Sequence, residues 1–243
     1  SNMKKIAIFG STGSIGTSLI NIILKNKKDF KIELLTANKN YKKLIKQTQF
    51  FNVKNIIITD EKAFLNTKKI LKNKRINVYN NFNSFKKIFK NKKVDYSMCA
   101  ISGFEGLKPT LDIIKFSKTI AIANKESIIC GWSLIQKNLI KYNTKFIPID
   151  SEHFSIWSLI DSIKSKNLEK VYITASGGPF RQYPLNKFKY ITAAQALKHP
   201  NWLMGKKISI DSATMINKVF EIIEAKKIFD LKYNQLDILV HSK

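Results

Sequence analysis

The sequence predicts an α/β protein that begins with a doubly wound parallel sheet, and three observations lead to this fold class. Short runs of apolar, mostly β-branched residues alternate with stretches of helical periodicity as far as Ile149. A glycine-rich turn closes the first of these runs. The composition, 44% hydrophobic and 25% charged, is that of a globular chain. Alternating strands and helices are typical of a parallel sheet covered by helices on both faces.

The individual elements follow from the period of the apolar residues. Residues 6–9 form a short apolar run that ends at Gly10, as expected of a buried parallel strand, and Ile15 and Leu19 begin a helical pattern. Further strands are expected at 30–36, 55–59, 76–79, 96–100, 119–123 and 146–149. Helical patterns lie between these strands, so the chain alternates regularly between the two kinds of element.

A second domain is expected after residue 149, where the composition changes. Gly, Pro, Ser and Asn become frequent between 176 and 201. Strands are expected at 170–174 and 236–240, and a helix at about 213–229. The last strand leaves a sheet unfinished. We therefore expect a Rossmann-type domain over 1–149 and an incomplete α+β domain over 150–243.

Net charge limits the classes of partner. The formal net charge is +26, but the excess is lysine spread along the whole chain. Only Arg75 and Arg181 are arginine, the residue favoured for bidentate contacts to phosphates and bases. We favour a solvated lysine surface with no nucleic-acid partner, and a basic nucleic-acid-binding protein is the alternative. No apolar run reaches the ~20 residues that span a bilayer, so no membrane partner is expected.

The compartment is predicted from the cysteines and from the start of the chain. Cys99 and Cys130 show neither metal-type nor redox spacing, which fits a reducing compartment. Met3 leads almost directly into the first strand and leaves no room for a signal peptide. A cytoplasmic protein is therefore expected.

The turn at 10–16, Gly-Ser-Thr-Gly-Ser-Ile-Gly, joins the first strand to the first helix. Such a turn lets the diphosphate of a dinucleotide approach the backbone and the N-terminus of the helix. Its position after a strand and before a helix favours a dinucleotide site. The alternative is a glycine-rich turn of an α/β protein that binds no nucleotide.

The residues after the second strand bear on the choice of dinucleotide. An NAD-binding protein places an acid there, whereas this chain has Asn38, Lys39 and Asn40. Lys39 can neutralise a 2′-phosphate and the asparagines can donate to it, which favours NADPH. The alternative is that Lys39 is one more surface lysine.

Three groups of polar residues in the second half are not explained by packing. Asp150 and Glu152 stand at alternate positions just past a strand, where side chains two apart share a face. Asn217 and Glu221 lie four apart on a helix, and Ser212 is expected at the N-cap of that helix. Carboxylates without cysteine or a histidine pair suit Mg²⁺ or Mn²⁺. The alternative for Asp150 and Glu152 alone is a solvated strand end.

Six segments occur in a fixed order and span nearly the whole chain. They are Gly-Ser-Thr-Gly-Ser-Ile-Gly at 10–16, Ala-Asn-Lys-Glu-Ser at 123–127, Asp-Ser-Glu-His at 150–153, Ser-Gly-Gly-Pro-Phe-Arg at 176–181, His-Pro-Asn-Trp at 199–202 and Asp-Ser-Ala-Thr-Met at 211–215. Together they resemble the 1-deoxy-D-xylulose 5-phosphate reductoisomerases. The resemblance implies an NADP-dependent oxidoreductase of the non-mevalonate isoprenoid pathway. With NADPH and Mg²⁺ or Mn²⁺, it would isomerise and reduce 1-deoxy-D-xylulose 5-phosphate to 2-C-methyl-D-erythritol 4-phosphate.

The resemblance also implies roles for individual residues. NADPH would be bound by Thr12, Gly13, Ser14, Ile15, Asn38, Lys39, Asn40, Asn124, Glu126 and Gly205. The metal would be held by Asp150, Glu152 and Glu221, which form the catalytic set together with Lys125. The substrate would be bound by Lys125, Ser151, Glu152, Ser176, His199, Ser212, Asn217, Lys218 and Glu221. Among these, the substrate phosphate would be held by Ser176, Ser212, Asn217 and Lys218.

The resemblance has consequences for the rest of the protein. Family members form homodimers and continue past Lys243 through further strands and a C-terminal helical domain, which this chain does not include. One alternative is therefore a truncated, catalytically inactive NADPH-binding fragment. Another is a different two-domain NADP-dependent oxidoreductase, such as a semialdehyde or homoserine dehydrogenase, which needs no site of three carboxylates.

Overall fold

The chain divides into two compact units, Ser1–Ile149 and Asp150–Lys243. In this computed structural model, the described residues are 3–160, 168–177, 179–180, 184–197, 210 and 215–241. None of the helices within these ranges combines the length and the apolar character needed to cross a membrane.

The first unit is built on seven parallel strands. They are β1 Lys4–Phe9, β2 Phe30–Ala37, β3 Asn55–Ile58, β4 Asn77–Tyr79, β5 Val94–Cys99, β6 Ser117–Ile122 and β7 Lys145–Pro148. Their order in the sheet is β4-β3-β2-β1-β5-β6-β7, and every neighbouring pair is parallel. The direction of strand addition reverses between β1 and β5, which makes the carboxyl ends of these two strands the topological switch point. The predicted doubly wound α/β fold class is confirmed.

The helices of the first unit connect these strands. They are α1 Ser14–Lys25, α2 Tyr41–Phe50, α3 Glu61–Ile70, α4 Phe85–Phe89, α5 Leu107–Ile114 and α6 Lys125–Lys141. Asn40, Asp60 and Asn124 cap α2, α3 and α6, because each side chain accepts a hydrogen bond from the backbone N–H three residues later. Each such cap stabilises a helix by about 1 kcal/mol.

The core of the first unit lies on both faces of the sheet. On one face Ile6, Ile8 and Ile56 pack with apolar residues of α1, α2 and α3. On the other face Phe9 packs edge-on against Phe85 of α4, with 5.6 Å between the ring centroids. Strands buried on both faces need apolar residues at successive positions, which explains why these runs are uninterrupted in the sequence.

The second unit has a smaller described core. Its elements are α7 Ser151–Ile160, β8 Val171–Ala175, α8 Ala193–Ala196, α9 Ile216–Phe229 and β9 Leu236–Val240. The strands β8 and β9 form a parallel two-stranded sheet. Ile156 of α7, Ile173 of β8 and Ala225 of α9 are buried in one apolar cluster with Leu231 and Leu236. The two helices α7 and α9 thus pack on the same small core.

Candidate active site

The glycine-rich turn lies at the switch point of the sheet. Gly10 has a φ of 74°, and a Cβ at this position would approach the carbonyl oxygen of Ala100, at the end of β5, to 2.6 Å. A Cβ on Gly16 would overlap the carbonyl oxygen of Gly10. The turn therefore requires glycine at both positions, and the chain passes closely over the ends of β1 and β5.

Buried polar side chains fix this turn in place. The N–H of Gly10 donates to Thr36 Oγ1 over 3.0 Å. Ser11 Oγ donates to Gln47 Oε1 over 2.8 Å, and Gln47 Nε2 donates back to the carbonyl oxygen of Ser11 over 3.0 Å. The turn is thus held from the end of β2 and from helix α2.

Lys43 is a second contact from α2 that sequence reasoning missed. Its ammonium group donates to the carbonyl oxygen of Thr12 over 3.1 Å and to Thr17 Oγ1 over 2.6 Å. Lys43 and Gln47 lie four apart, which places both on the face of α2 that meets the turn. The spacing alone could have shown that they share a face, but among so many lysines nothing in the sequence marks Lys43.

The predicted diphosphate residues surround the first turn of α1. Gly13 is its N-cap residue, and no side chain caps the helix. Gly13, Ser14 and Ile15 are exposed, with Ile15 at 41% of its full accessibility. The first N–H groups of a helix have no partner within it, so this end of α1 offers donors and a positive dipole end to an anion.

The predicted 2′-phosphate residues follow β2 and are all exposed. Asn38 donates to Thr59 Oγ1 over 2.8 Å, and Asn40 caps α2. Lys39 makes no ion pair with any residue that the structure describes. Two of the three side chains therefore have local structural partners, and Lys39 is the group best placed to respond to a ligand.

The predicted cofactor residues at 124–126 begin helix α6. Asn124 is buried, and its side-chain amide donates to the carbonyl oxygens of Ile101 and Gly103. Its amide is thus used to hold the loop after β5. Lys125 and Glu126 are half-buried in the first turn of α6.

In the second unit, three predicted ligands converge. Oxygen atoms of Asp150, Glu152 and Glu221 all lie within 4.8 Å of one another. Asp150 directly precedes α7, Glu152 lies in its first turn, and Glu221 is buried on α9. Asp150 and Glu152 follow the strand β7, as predicted, but the expectation that they share a face as alternate extended residues is wrong, because α7 begins at Ser151. Three oxygen donors at this spacing fit a hard divalent cation.

Further side chains surround these carboxylates. Lys218 Nζ donates to Glu152 Oε1 over 3.0 Å and to Glu221 Oε2 over 2.6 Å. Asn217 Nδ2 donates to Glu221 Oε1, and Ser151 Oγ donates to Glu152 Oε2 over 2.7 Å. Three residues that the resemblance assigns to the substrate therefore contact the predicted metal ligands.

The proximity of these groups changes their pKa values. Burial raises the pKa of Asp150 to about 7, and the hydrogen bond and charge of Glu152 add to the effect. Burial alone would also raise the pKa of Glu152, but hydrogen bonds with Asp150, Ser151 and Lys218 outweigh it and lower this pKa. The two carboxyl groups thus titrate as a coupled pair, with the pKa of Asp150 raised and that of Glu152 lowered. Burial alone would lower the pKa of Lys218, but hydrogen bonds to Glu221 and Glu152 raise it.

Sequence reasoning missed a buried pair behind the carboxylates. His153 of α7 and Glu224 of α9 are 0% and 2% exposed. His153 Nδ1 lies 3.8 Å from Glu224 Oε2, and its Nε2 lies 2.9 Å from the carbonyl oxygen of Glu221. Nothing in the sequence shows that Glu224 faces His153, because the two residues lie 71 positions apart.

The remaining predicted residues are only partly described. Ser176 directly follows β8 and is half-buried. His199, Gly205 and Ser212 lie outside the described residues. The expected N-cap role of Ser212 therefore lies outside the described residues, and within them the residue that precedes α9 is Met215, which has a φ of 61°.

Together, the sheet order and the glycine-rich turn at its switch point define a Rossmann-type fold of the class that binds dinucleotides. Two family models match the chain. The model described as 1-deoxy-D-xylulose 5-phosphate reductoisomerase covers residues 6–131, and the model for the C-terminal domain of the same enzyme covers residues 146–229. The chain therefore belongs to the 1-deoxy-D-xylulose 5-phosphate reductoisomerase family.

Individual relatives agree with this assignment. The reductoisomerase of Pelagibacter ubique is 72% identical over 99% of this chain and 62% of its own length, and that of Clostridium novyi is 44% identical over 98% and 63%. The Zymomonas mobilis enzyme, solved with NADPH, is 34% identical with a TM-score of 0.88 over 98% of this chain and 62% of its own. A DOX-P reductoisomerase solved with NADPH, fosmidomycin and magnesium is 32% identical, with a TM-score of 0.87 over 98% and 61%. The chain thus spans somewhat less than two thirds of each relative.

Proposed function

We propose that the protein isomerises and reduces 1-deoxy-D-xylulose 5-phosphate to 2-C-methyl-D-erythritol 4-phosphate, with NADPH and Mg²⁺ or Mn²⁺, in the non-mevalonate isoprenoid pathway. The observation that carries this proposal is the convergence of Asp150, Glu152 and Glu221, with donor atoms within 4.8 Å of one another. Two solved reductoisomerases of this family, one with NADPH and one with NADPH, fosmidomycin and magnesium, support it.

In the second unit, the three carboxylates would hold the divalent cation. When bound, such a cation supplies a Lewis acid that polarises the substrate carbonyl and lowers the pKa of a neighbouring hydroxyl, as the carbon-skeleton rearrangement requires. Ser151 would contact the polar backbone of the substrate, and Ser176, Ser212, Asn217 and Lys218 its phosphate. Lys218 reaches Glu152 and Glu221, so its positive charge also offsets the repulsion between these carboxylates.

In the first unit, the residues of the glycine-rich turn would bind NADPH, the hydride donor for the rearranged aldehyde. The N–H groups at the start of α1 would face the cofactor diphosphate, and Lys39 its 2′-phosphate. The remaining contacts of this proposed site are Asn38, Asn40, Asn124, Glu126 and Gly205. Lys125, at the start of α6, would contact the substrate.

The proposal is tested by incubating the purified protein with 1-deoxy-D-xylulose 5-phosphate and NADPH, with Mg²⁺, with Mn²⁺ or with a chelator. We expect NADPH absorbance to fall only when both substrate and metal are present, and 2-C-methyl-D-erythritol 4-phosphate to accumulate. NADPH binding without turnover would instead support an inactive fragment. Retained turnover in Glu221→Gln would favour another NADP-dependent oxidoreductase.

We also propose a homodimer in the cytoplasm. Family membership supports the dimer, and the free thiols of Cys99 and Cys130 fit a reducing compartment. The dimer is tested by light scattering of the purified protein, where a mass near 27.9 kDa, that of one chain, would contradict it.

A further inference from the structure

The helices α7 and α9 carry two of the three carboxylates, and they are joined by a buried polar contact behind them. His153 follows Glu152 directly on α7, and Glu224 lies one helical turn after Glu221 on α9. The side chains of His153 and Glu224 are 1% and 2% exposed. The contact therefore lies inside the second unit.

The hydrogen bonding of His153 links it to the backbone of a predicted ligand. Its Nε2 lies 2.9 Å from the carbonyl oxygen of Glu221, and because a carbonyl oxygen can only accept, Nε2 donates. Its Nδ1 lies 3.8 Å from Glu224 Oε2, which is too far for a hydrogen bond but close enough for a charge–charge contact when the ring is protonated. Ring nitrogen and carboxylate oxygens of Asp150, His153 and Glu224 also lie within 4.8 Å of one another. The imidazole of His153, which belongs to α7, thus contacts the backbone of α9 and lies beside Asp150.

Packing alone does not require polar groups at this place. Ile156 and Ala225, the next inward residues on the two helices, belong to an apolar cluster, so an apolar pair would join α7 to α9 equally well. Burying a histidine and a glutamate costs free energy that apolar residues do not cost. The polar pair adds a directional contact. The hydrogen bond from His153 to the backbone of Glu221 fixes how α9 is rotated about its axis and shifted along it relative to α7.

We propose that His153 and Glu224 are positioning residues that hold Glu152 and Glu221 at the separation that a divalent cation needs. This inference rests on the proposed function, since it concerns the metal that Asp150, Glu152 and Glu221 would bind. Neither His153 nor Glu224 is proposed to bind the cation itself. Groups that orient metal ligands in this way typically contribute a factor of about 10–100 to metal affinity.

The test is Mn²⁺ binding to the whole chain, followed by electron paramagnetic resonance of free Mn²⁺. We expect Glu224→Gln and His153→Leu to weaken Mn²⁺ binding by about 10–100-fold. His153→Gln, whose side-chain amide can still donate to the Glu221 carbonyl, recovers part of the loss. The double variant Glu224→Gln/His153→Leu loses little more than His153→Leu alone, because the two residues act as one unit.

Two control variants separate positioning from stability and from net charge. Ile156→Ala loosens the same helix contact without changing a polar group, and Asp237→Asn removes one negative charge from an exposed ion pair with Lys170 in the same unit. Both are expected to bind Mn²⁺ as the parent chain does. Unchanged affinity in Glu224→Gln and His153→Leu overturns the inference, and so does an equal loss in Ile156→Ala at a matched melting temperature. A parent chain that binds no Mn²⁺ contradicts the proposed function itself, whereas binding that these variants do not alter contradicts only the positioning role.

Discussion

The candidate sites of the two units consist of different chemical groups. In the first unit the site is mostly backbone: a glycine-rich turn and a helix N-terminus, held by the buried side chains of Thr36 and Gln47. In the second unit the site is made of ionisable side chains, and Asp150, Glu152 and Glu221 lie together over a small apolar core. A backbone site depends on shape and a side-chain site on charge, so the two should fail under different substitutions.

The largest effect is expected at the carboxylate cluster of the second unit. Glu221→Gln removes one of three anionic oxygen donors, and since even supporting groups contribute about 10–100-fold to metal affinity, we expect a loss of Mn²⁺ affinity of at least about 100-fold. Electron paramagnetic resonance of free Mn²⁺ measures it. NADPH binding should stay unchanged, and a matched loss of NADPH binding would break the distinction between the two sites.

Substitutions of glycine test the glycine-rich turn of the first unit. A Cβ on Gly16 overlaps the Gly10 carbonyl oxygen, whereas a Cβ on Gly13 has 3.4 Å to the same atom and a φ of −75°. We expect Gly16→Ala to lower the free energy of unfolding by about 1–3 kcal/mol and to weaken NADPH binding. The control Gly13→Ala should fold with parent stability even where it weakens NADPH binding. Urea unfolding and cofactor fluorescence measure both, and equal stability of the two variants would contradict the account of the turn.

The pH dependence sharpens the contrast between the sites. Because the pKa of Asp150 is raised to about 7, its carboxyl is protonated below that pH and must lose a proton to bind a cation. Apparent Mn²⁺ affinity should therefore rise with pH, by about tenfold per unit below 7, and level off above it. Titrations between pH 5.5 and 8.5 test this, and an affinity that does not change with pH would contradict the raised pKa.

The same titration has a consequence for stability without metal. A raised pKa means that the folded chain holds this proton more tightly than the unfolded chain does, so the contribution of Asp150 to stability falls as pH rises through about 7. The lowered pKa of Glu152 acts in the opposite direction, since its contribution is lost as pH falls through the acidic range.

The smallest expected effects separate two lysines near the glycine-rich turn. Lys39 is exposed beside the proposed 2′-phosphate position, so Lys39→Met should weaken NADPH binding about tenfold and leave NADH binding unchanged. Lys43 holds the turn through Thr12 and Thr17, so Lys43→Met should weaken both by a similar, smaller factor. Fluorescence titration with each cofactor measures the ratios, and equal effects of Lys39→Met on the two cofactors would contradict its assignment.

The fold of the first unit was predictable because its strands are buried on both faces and therefore read as uninterrupted apolar runs. Helix α7 was not, because its inward face carries His153 while Phe154 and Leu159 are 47% and 62% exposed. On the buried side His153 stands beside the apolar Ile156, and this mixture obscures the usual amphipathic pattern, so no helix is predicted over 151–160. His153 takes its inward position in contact with the backbone of Glu221, one of the proposed metal ligands.

The candidate site was predictable only where a motif marks it. The glycines and the acidic residues could be found from their spacing and from the family resemblance. Gln47 and Glu224 act through contacts with residues 36 and 71 positions away, and local periodicity holds no information about such distances. The residues that support a site are therefore seen only once the fold brings them together.

The proposed function requires that the carboxylates of the second unit and the glycine-rich turn of the first serve one reaction. It is tested most directly by measuring NADPH consumed and 2-C-methyl-D-erythritol 4-phosphate formed in the same samples while Mn²⁺ is increased. We expect equal amounts of both, rising together and saturating at the Mn²⁺ concentration that saturates direct binding. NADPH consumption that is independent of Mn²⁺, or that occurs without this product, would contradict it.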